Sequence, residues 1–359
     1  MKIHVPSFYP LTHFLKGAAL ICAIAIGAVA TMSAASAQNS RVVIGIWGGS
    51  WGEYLRGRIN EFAGKNGIDV VYVEANSNGL LAKIVAQRGK PEMDIYLGNE
   101  TTMAQSKRLG VSTPLDTSIV TNMADVSEKY RKPEDALIWA YWPVGFAYLQ
   151  DEFTKSKLAV PDSWTSLLRA DLKKKICLIG LPDIYGQATM IGLARAMGTD
   201  EHNMEPVFSK LSDLKDNALT VVHNPGQAED LLRAKECWVY PTAPARAYLL
   251  NQKSGNIGFI VPKESAVVSL NSIMLVKNGP NPVAAQKILN YLISPPVQEH
   301  MAQFGVVMPT NVKAKSTDEM DKYMGSIGSS SRQSLAIDGE VAADKLTDWT
   351  RRWTQAFAK

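Results

Sequence analysis

The sequence predicts a two-lobed α/β protein, and three observations indicate that fold class. After a predicted leader is removed, 322 of the 359 residues remain, more than a single hydrophobic core usually supports. Short apolar runs typical of strands alternate with helical patterns from residue 42 onward, which indicates parallel sheets. Two extended apolar segments, 138–149 and 257–276, separate the alternating blocks and are expected to cross between the lobes.

The first 37 residues carry the features of a secretory signal peptide in their usual order. Lys2 and Lys16 precede an apolar run of 13 residues, 18–30, which is too short to span a bilayer comfortably. An A-x-A cleavage site follows at 35–37. A membrane anchor or a buried helix is the alternative, but the order of these features favours export to the periplasm.

The predicted mature chain is close to neutral and keeps two cysteines. Its formal charge falls from +4 to +2 when Lys2 and Lys16 are removed, which argues against nucleic acid as a partner. No later stretch is apolar enough for a transmembrane segment. Cys177 and Cys237 can form a disulfide in an oxidising compartment or stay as buried thiols, and the sequence leaves both outcomes open.

The N-terminal part of the predicted mature chain alternates strands with helices. Strands are expected at 42–47, 68–73 and 93–97, and helices at 51–65 and 79–87. In such sheets ligands bind beyond the carboxyl ends of the strands. The residues expected at those ends are Trp47, Gly48, Gly49, Ser50, Gly98, Asn99 and Glu100.

The rest of the chain continues this pattern after an aromatic crossing. Pro143 and Gly145 make the segment 138–149 a poor central helix or central strand, so we expect an extended crossing there. The further expected elements are strands at 176–180 and 237–240 and helices at 187–197, 282–293, 296–303 and 338–357.

Common catalytic and cofactor motifs are absent from the sequence. It contains no H-E-x-x-H, G-x-S-x-G, Walker A or G-x-G-x-x-G pattern. His202, His223 and His300 do not have the spacing of metal ligands. A triad assembled only in space stays open, since such triads have no fixed sequence order. The sequence therefore predicts a protein that binds no cofactor or metal and is not an enzyme.

Four segments resemble the spermidine/putrescine-binding group of extracellular solute-binding proteins. They are 46–51 (IWGGSW), 73–86 followed by 92–100, 160–180, and 281–311, and they occur in the order of that family. Together they extend over nearly all of the predicted mature chain, although no single one is specific. The resemblance implies the type II periplasmic-binding-protein fold, in which two α/β lobes close around a ligand on crossing strands.

The resemblance also implies the role and the partners of the protein. It implies the periplasmic substrate-binding component of an ABC importer, a monomer whose partners are a small organic solute and an inner-membrane ABC permease. Lobe one would comprise 38–143 and 262–312, and lobe two 144–261 and 313–359. An exported hydrolase on a two-lobed scaffold and a periplasmic receptor for a sensor are the alternatives.

Polyamine binders of this group hold ammonium groups with aromatic faces and carboxylates. By resemblance and by position at strand ends, the candidate ligand-binding residues are Trp47, Gly49, Ser50, Trp51, Asn99, Glu100, Tyr141, Trp142, Asp183, Tyr185, Tyr240, Thr242, Arg246 and Asn271.

Several candidates have a plain structural alternative. Trp47 and Trp51 can be core or helix-packing residues, and of Tyr141 and Trp142 we expect one to face the cleft. Among the charged candidates, Glu100 and Asp183 can instead be residues that favour helix N-termini, and Arg246 can be a solvated helix residue.

Two departures from the family pattern change the expected ligand. Gly186 stands where the family has a second acid, and Ser269 and Asn271 stand where the return crossing has an aromatic residue and an acid. With fewer carboxylates, the charges of a polyamine would be poorly compensated. Arg246 could bind a carboxylate instead. We therefore expect an amine-bearing, amino-acid-like or opine-like solute, with putrescine as the fallback.

Overall fold

A computed structural model describes residues 40–87, 89–131, 136–264, 267–305, 307–315 and 335–358. The predicted signal peptide, 1–37, lies outside the described residues. The strands are β1 (Ser40–Ile46), β2 (Ile68–Glu74), β3 (Ile95–Asn99), β4 (Ser112–Thr113), β5 (Leu137–Leu149), β6 (Ile176–Ile179), β7 (Ala218–Val222), β8 (Val239–Thr242), β9 (Ile257–Ile260), β10 (Val267–Val276), β11 (Met308–Pro309) and β12 (Leu335–Ala336).

The α-helices of the described residues connect and cover these strands. They are α1 (Gly49–Lys65), α2 (Ser77–Ala86), α3 (Glu100–Leu109), α4 (Gln150–Ser156), α5 (Ile184–Ala196), α6 (Glu205–Phe208), α7 (Leu211–Asn217), α8 (Pro225–Arg233), α9 (Pro244–Ser254), α10 (Pro282–Leu292), α11 (Pro295–Gly305) and α12 (Gly339–Ala358).

The strands form one continuous sheet with the main order β2-β1-β3-β10-β5-β8-β6-β7. β1 is parallel to β2 and β3, and β6 is parallel to β7 and β8, as the alternating pattern predicts. The long strand β5 is antiparallel to β10 up to Val144, and from Gly145 it pairs with β8 and β9. One strand thus joins a first half-sheet (β2, β1, β3, β10) to a second half-sheet (β8, β6, β7).

Burial explains why these segments form strands and helices. Every residue of β3 is buried, and β5 is buried except at Tyr141 and Tyr148, so both read as continuous apolar runs. On α1 the buried residues Trp51, Leu55 and Ile59 recur every four positions and face the core.

The predicted strands and helices are confirmed in type, with shifts of up to three residues at their ends. α5 begins at Ile184 rather than 187, because the Asp183 side chain accepts a hydrogen bond from the Tyr185 backbone N–H and caps the helix. The expectation that 138–149 avoids a central strand was wrong. Residues 137–144 pair with β10, and residues 146–148 pair with β8 on one edge and with β9 on the other. This pairing and burial outweigh the missing N–H of Pro143.

Two further features complete the description of the fold. Cys177 and Cys237 are buried free thiols, and a hydrogen bond with Cys177, together with burial, raises the pKa of Cys237. Among the helices of the described residues, none has both the length and the apolar character that crossing a membrane requires.

Candidate functional site

A cavity of about 310 Å³ lies between the two half-sheets. On one side its wall follows the carboxyl ends of β1, β2 and β3 and includes residues of β5 and β10. On the other side the wall is formed by the starts of α5 and α8 and by Arg246 of α9. Ligands of α/β sheets bind beyond the carboxyl ends of the strands, so this cavity is the candidate site.

The structure brings eight of the fourteen candidate residues together on the wall of this cavity. They are Trp47, Trp51, Asn99, Trp142, Asp183, Tyr185, Arg246 and Asn271. They come from segments up to 224 positions apart in the chain, from Trp47 to Asn271, and only the sheet topology places them around one space.

Ten wall residues are absent from the candidate set. They are Gly48, Glu74, Ala75, Asn76, Ser77, Gly79, Ile184, His223, Asn224 and Pro225. Two sequence signals could have identified most of them. Residues 74–77 lie at the carboxyl end of β2, and the Asn224-Pro225 pair is a turn signal one residue beyond His223, which follows β7.

Tryptophan side chains form the apolar part of the wall. The Trp47 indole Nε1 donates a hydrogen bond to Ser77 Oγ at 2.9 Å, which fixes the ring beside the cavity. Trp51 is buried, stacks on Trp139 with centroids 6.4 Å apart, and meets Trp142 edge-on at 5.8 Å. Trp51 therefore packs in the core, which is one of its two expected roles, and it also lines the cavity.

A buried ion pair lies on the opposite wall. Arg246 Nη1 is 2.8 Å from Glu229 Oε1, and the two side chains are only 3% and 4% exposed. Arg246 also donates from Nη2 to the Gly48 carbonyl at 3.1 Å and from Nε to the Tyr185 hydroxyl at 3.3 Å. The expectation that Arg246 could be a solvated helix residue was wrong, because α9 directs it onto Glu229, which the sequence alone did not single out.

The same network includes the first turn of α1. Glu229 accepts hydrogen bonds from the backbone N–H and the hydroxyl of Ser50, each at 3.3 Å. Gly49 has a φ of +75°, and a Cβ there would lie 2.6 Å from Arg246 Nη1, so conformation and space both require glycine. Gly49 and Ser50 thus contact the ion pair, and neither is part of the cavity wall.

Asp183 is a carboxylate on the cavity wall and the N-cap of α5. Its Oδ1 accepts the Tyr185 N–H at 3.0 Å, and within the described residues Oδ2 accepts no hydrogen bond. Burial raises the pKa of Asp183 to about 6, against the lowering effects of the Tyr185 N–H and of the Arg246 charge. At neutral pH this carboxyl is ionised.

The other candidates lie behind the wall. The buried Glu100 is the first residue of α3, and its Oε2 accepts the Leu270 N–H at 2.8 Å. Tyr240 and Thr242 are fully buried in β8. Of the two aromatic residues at 141 and 142, Trp142 lines the cavity, whereas Tyr141 packs on Tyr130 with centroids 5.1 Å apart.

The sequence profile described as bacterial extracellular solute-binding protein matches residues 57–325. The chain belongs to this family. Its members are substrate-binding proteins of ABC transporters, and this solute-binding protein is accordingly the substrate-binding component of an ABC importer.

Curated relatives agree with the family. The putrescine-binding periplasmic protein PotF of Escherichia coli is 22% identical over 277 residues, which are 70% of this solute-binding protein and 74% of PotF. The family and this relative indicate that the protein is periplasmic or extracellular. They also indicate that it binds a small solute and works with a permease.

Solved structures share the fold at low sequence identity. The periplasmic binding protein AgtB of Agrobacterium tumefaciens, in complex with agropinic acid, matches with a TM-score of 0.74 and 17% identity, covering 89% of this chain and 99% of AgtB. AfuA of Actinobacillus pleuropneumoniae, bound to fructose-6-phosphate, matches with a TM-score of 0.73, 17% identity and the same coverage. These matches confirm the predicted two-lobed fold of the solute-binding protein.

Packing explains one departure of this chain from the polyamine-binding pattern. At Gly186, on the first turn of α5, a Cβ would lie 2.7 Å from the Ile179 carbonyl oxygen. A carboxylate side chain has no room at this position. The acid that the resemblance expects there is therefore excluded by the close approach of α5 to β6.

Proposed function

We propose that this protein captures a small amine-bearing organic solute in the periplasm and delivers it to an ABC permease of the inner membrane. The solute class is amino-acid-like or opine-like, and putrescine is the fallback. The observation that carries the proposal is Asp183, a buried carboxylate on the cavity wall with one oxygen that accepts no hydrogen bond from the described residues.

The surroundings of Asp183 suit an ammonium group. The tryptophans of the wall offer ring faces, on which methylene groups stack and toward which cations are attracted. The Arg246 charge lowers the pKa of Asp183 but does not occupy its carboxylate, because the guanidinium hydrogen-bonds Glu229, the Gly48 carbonyl and the Tyr185 hydroxyl instead. An ammonium group would replace the solvent at Asp183 and form a charge-assisted hydrogen bond.

The names and ligands of similar proteins also support an amine-bearing or opine-like solute. PotF is named for putrescine, which supports an amine, and AgtB was solved with agropinic acid, which supports the opine-like part of the class. The loss of acids at 186 and 271 favours a solute with fewer positive charges than a polyamine.

Export and lobe movement belong to the same proposal. Cleavage after Ala37 would produce a mature N-terminus at Gln38, which N-terminal sequencing of protein from a periplasmic extract would detect.

The proposed lobes are 38–143 with 262–312 and 144–261 with 313–359. The partners of β5 change between Val144 and Gly145, one residue from the proposed boundary between 143 and 144, which supports a lobe boundary at this point of the chain.

The test is a thermal-shift screen of opines, amino acids, polyamines and sugar phosphates, followed by calorimetry and mass spectrometry of the recovered solute. We expect an amine-bearing compound to raise the melting temperature and to be recovered unchanged. The matched variants are Asp183→Asn and the exposed Asp216→Asn, and only the first should weaken binding. Binding restricted to solutes without an amine, or conversion of the solute, would contradict the proposal.

A further inference from the structure

Four residues of the cavity wall carry buried N–H groups without a hydrogen-bond acceptor. The atoms are Trp51 Nε1, Trp142 Nε1, Asn99 Nδ2 and Asn271 Nδ2, and none has a partner within the described residues. Each of these residues is at most 3% exposed. A buried donor without a partner costs about 1–3 kcal/mol, so four around one cavity need an explanation.

The sheet brings these four side chains into one contiguous group. Asn271 of β10 lies opposite Asn99 of β3 in the antiparallel register. Asn271 also lies opposite Ala140 of β5, so Trp142, two residues further along β5, is its diagonal neighbour on the same face of the sheet. Trp142 in turn meets Trp51 edge-on, with centroids 5.8 Å apart. We refer to Trp51, Asn99, Trp142 and Asn271 as the donor cluster.

The buried polar atoms of the cavity wall that have no partner within the described residues are all donors. The other buried side-chain atoms that lack a partner in the described part of the chain belong to residues outside the wall, namely Glu100, Arg131, Trp139, Tyr240, Thr242, Ser269 and Thr310. For Asn99 the orientation of the amide follows from its helix cap. Because Oδ1 accepts the Thr102 N–H at 3.0 Å, the amino group is the end that remains without a partner.

We infer that the donor cluster binds a carboxylate of the solute, while Asp183 binds its ammonium group. The solute is then a zwitterion, an amino acid or an N-substituted amino acid, rather than a diamine. This inference rests on the proposed function and narrows its solute class. A diamine has only donors at its ends, so it would leave all four N–H groups unmatched.

A carboxylate suits the cluster better than a phosphate ester does. All four donors are uncharged, and dianionic phosphate groups are usually held by arginine or lysine. The guanidinium on the cavity wall, Arg246, is already paired with Glu229 and bonded to the Gly48 carbonyl. One carboxylate accepts several neutral N–H bonds with its two oxygens and brings a single negative charge.

The experiment compares matched solutes that differ in the carboxylate. The probes are 4-aminobutyrate and putrescine, α-amino acids and their decarboxylated amines, opines and their methyl esters, and sugar phosphates. We expect thermal shift and calorimetry to favour the carboxylate member of a pair by at least about tenfold in affinity, as for loss of hydrogen bonds to a charged acceptor.

Two indole substitutions test the cluster with a matched control. Trp142→Phe removes one N–H and keeps an aromatic ring, and it should weaken carboxylate binding on the order of tenfold. Trp139→Phe removes an equally buried and unpartnered indole N–H from a residue outside the wall, and binding should stay unchanged. Asn271→Leu, with the melting temperature of the unliganded protein as a fold control, tests the cluster a second time.

The outcomes separate this inference from the proposed function. Tight binding of diamines with no bound carboxylate compound would overturn the inference and leave an amine-binding function intact. Binding of a sugar phosphate alone would overturn both. Failure of every carboxylate compound in the panel, or equal effects of Trp142→Phe and Trp139→Phe on affinity, would also overturn the inference.

Discussion

The Arg246 guanidinium and the Glu229 carboxylate form a buried ion pair, with 2.8 Å between Nη1 and Oε1. Arg246 reaches across to the Gly48 carbonyl, and Glu229 accepts two hydrogen bonds from Ser50. Gly48 and Ser50 follow β1 of the first half-sheet, whereas α8 and α9 flank the second. The pair therefore links the two sides of the cavity.

Breaking this pair should strongly destabilise the protein. Glu229→Ala leaves the Arg246 charge buried without its partner, and we expect the free energy of unfolding to fall by about 3–5 kcal/mol in urea titrations. Lys210→Ala, which removes one partner of the exposed Lys210–Asp213 pair, is the control and should cost at most about 1 kcal/mol. The prediction fails if the two variants lose similar stability.

Closure on the solute should be measurable in solution. Because β5 connects the half-sheets and polar contacts link them across the cavity, we expect hinge bending to make the liganded protein more compact. Small-angle scattering should show a smaller radius of gyration at saturating solute. Asp183→Asn at the same solute concentration is the control. An unchanged radius for the saturated wild type would contradict a closing cleft.

Trp47 should contribute to binding more than to folding. Trp47→Ala removes a half-buried ring from the cavity wall and should weaken solute binding by about 1–3 kcal/mol, as measured by calorimetry. Trp238→Ala, which lies outside the wall, is the control and should leave affinity unchanged. If Trp47→Ala instead unfolds the protein while the folded fraction binds normally, Trp47 is a core residue.

Asp183 should provide the charge that binds the ammonium group. Asp183→Asn keeps the shape and the helix cap of α5 but removes the charge, and it should cost about 2–5 kcal/mol of binding energy. It should also shift preference toward neutral or anionic analogues. Binding as in the wild type would reduce Asp183 to a capping residue and remove the main support for an amine-bearing solute.

The pH dependence of binding gives a second measure of Asp183. Burial raises the pKa of this carboxyl to about 6, so the ionised form that attracts an ammonium group is lost as the pH falls below 6. Affinity should therefore decrease from pH 7 to pH 5, by up to about tenfold per pH unit for a single proton. Asp183→Asn should show a flat profile over the same range, and a flat wild-type profile would contradict the assignment.

Glu100 should make the protein less stable at alkaline pH. Burial raises the pKa of Glu100 from 4.5 to about 8, although the backbone N–H donors around the carboxyl lower it. Between these two pH values the folded state therefore keeps a proton that the unfolded state releases. This contribution to stability is complete below pH 4.5 and is lost as the pH rises through 8. Between pH 6 and 8 wild type should lose about 2 kcal/mol more than Glu100→Gln, and the contribution of Asp183, which both proteins share, cancels in this comparison.

The measurement for Glu100 is urea unfolding of wild type, Glu100→Gln and Glu92→Gln at both pH values. Glutamine keeps the acceptor for the Leu270 N–H, so the substitution changes the titration more than the packing. Glu92 is exposed and serves as the control, whose profile should match that of the wild type. Equal slopes for all three proteins would show that Glu100 does not carry a raised pKa.

The sequence by itself determined the fold class, most elements and part of the site. Local periodicity and helix capping depend on neighbouring residues in the chain. The strand before Trp47 and the helix after Asp183 can therefore be predicted from the sequence alone. The same rule placed Asn99 at a strand end on the cavity wall. The predicted cleavage at Ala37 and the lobe boundaries stay predictions.

The tertiary structure alone decided which side chains meet. Glu229 carries no local signal, yet α8 and α9 place it on Arg246, 17 positions away, and on Ser50, 179 positions away. The donor cluster depends on the register of β10 with β3 and β5, and a slip of one residue would turn Asn271 to the other face. Pairing between distant segments is set by the burial of whole strands, and no short stretch of sequence records it.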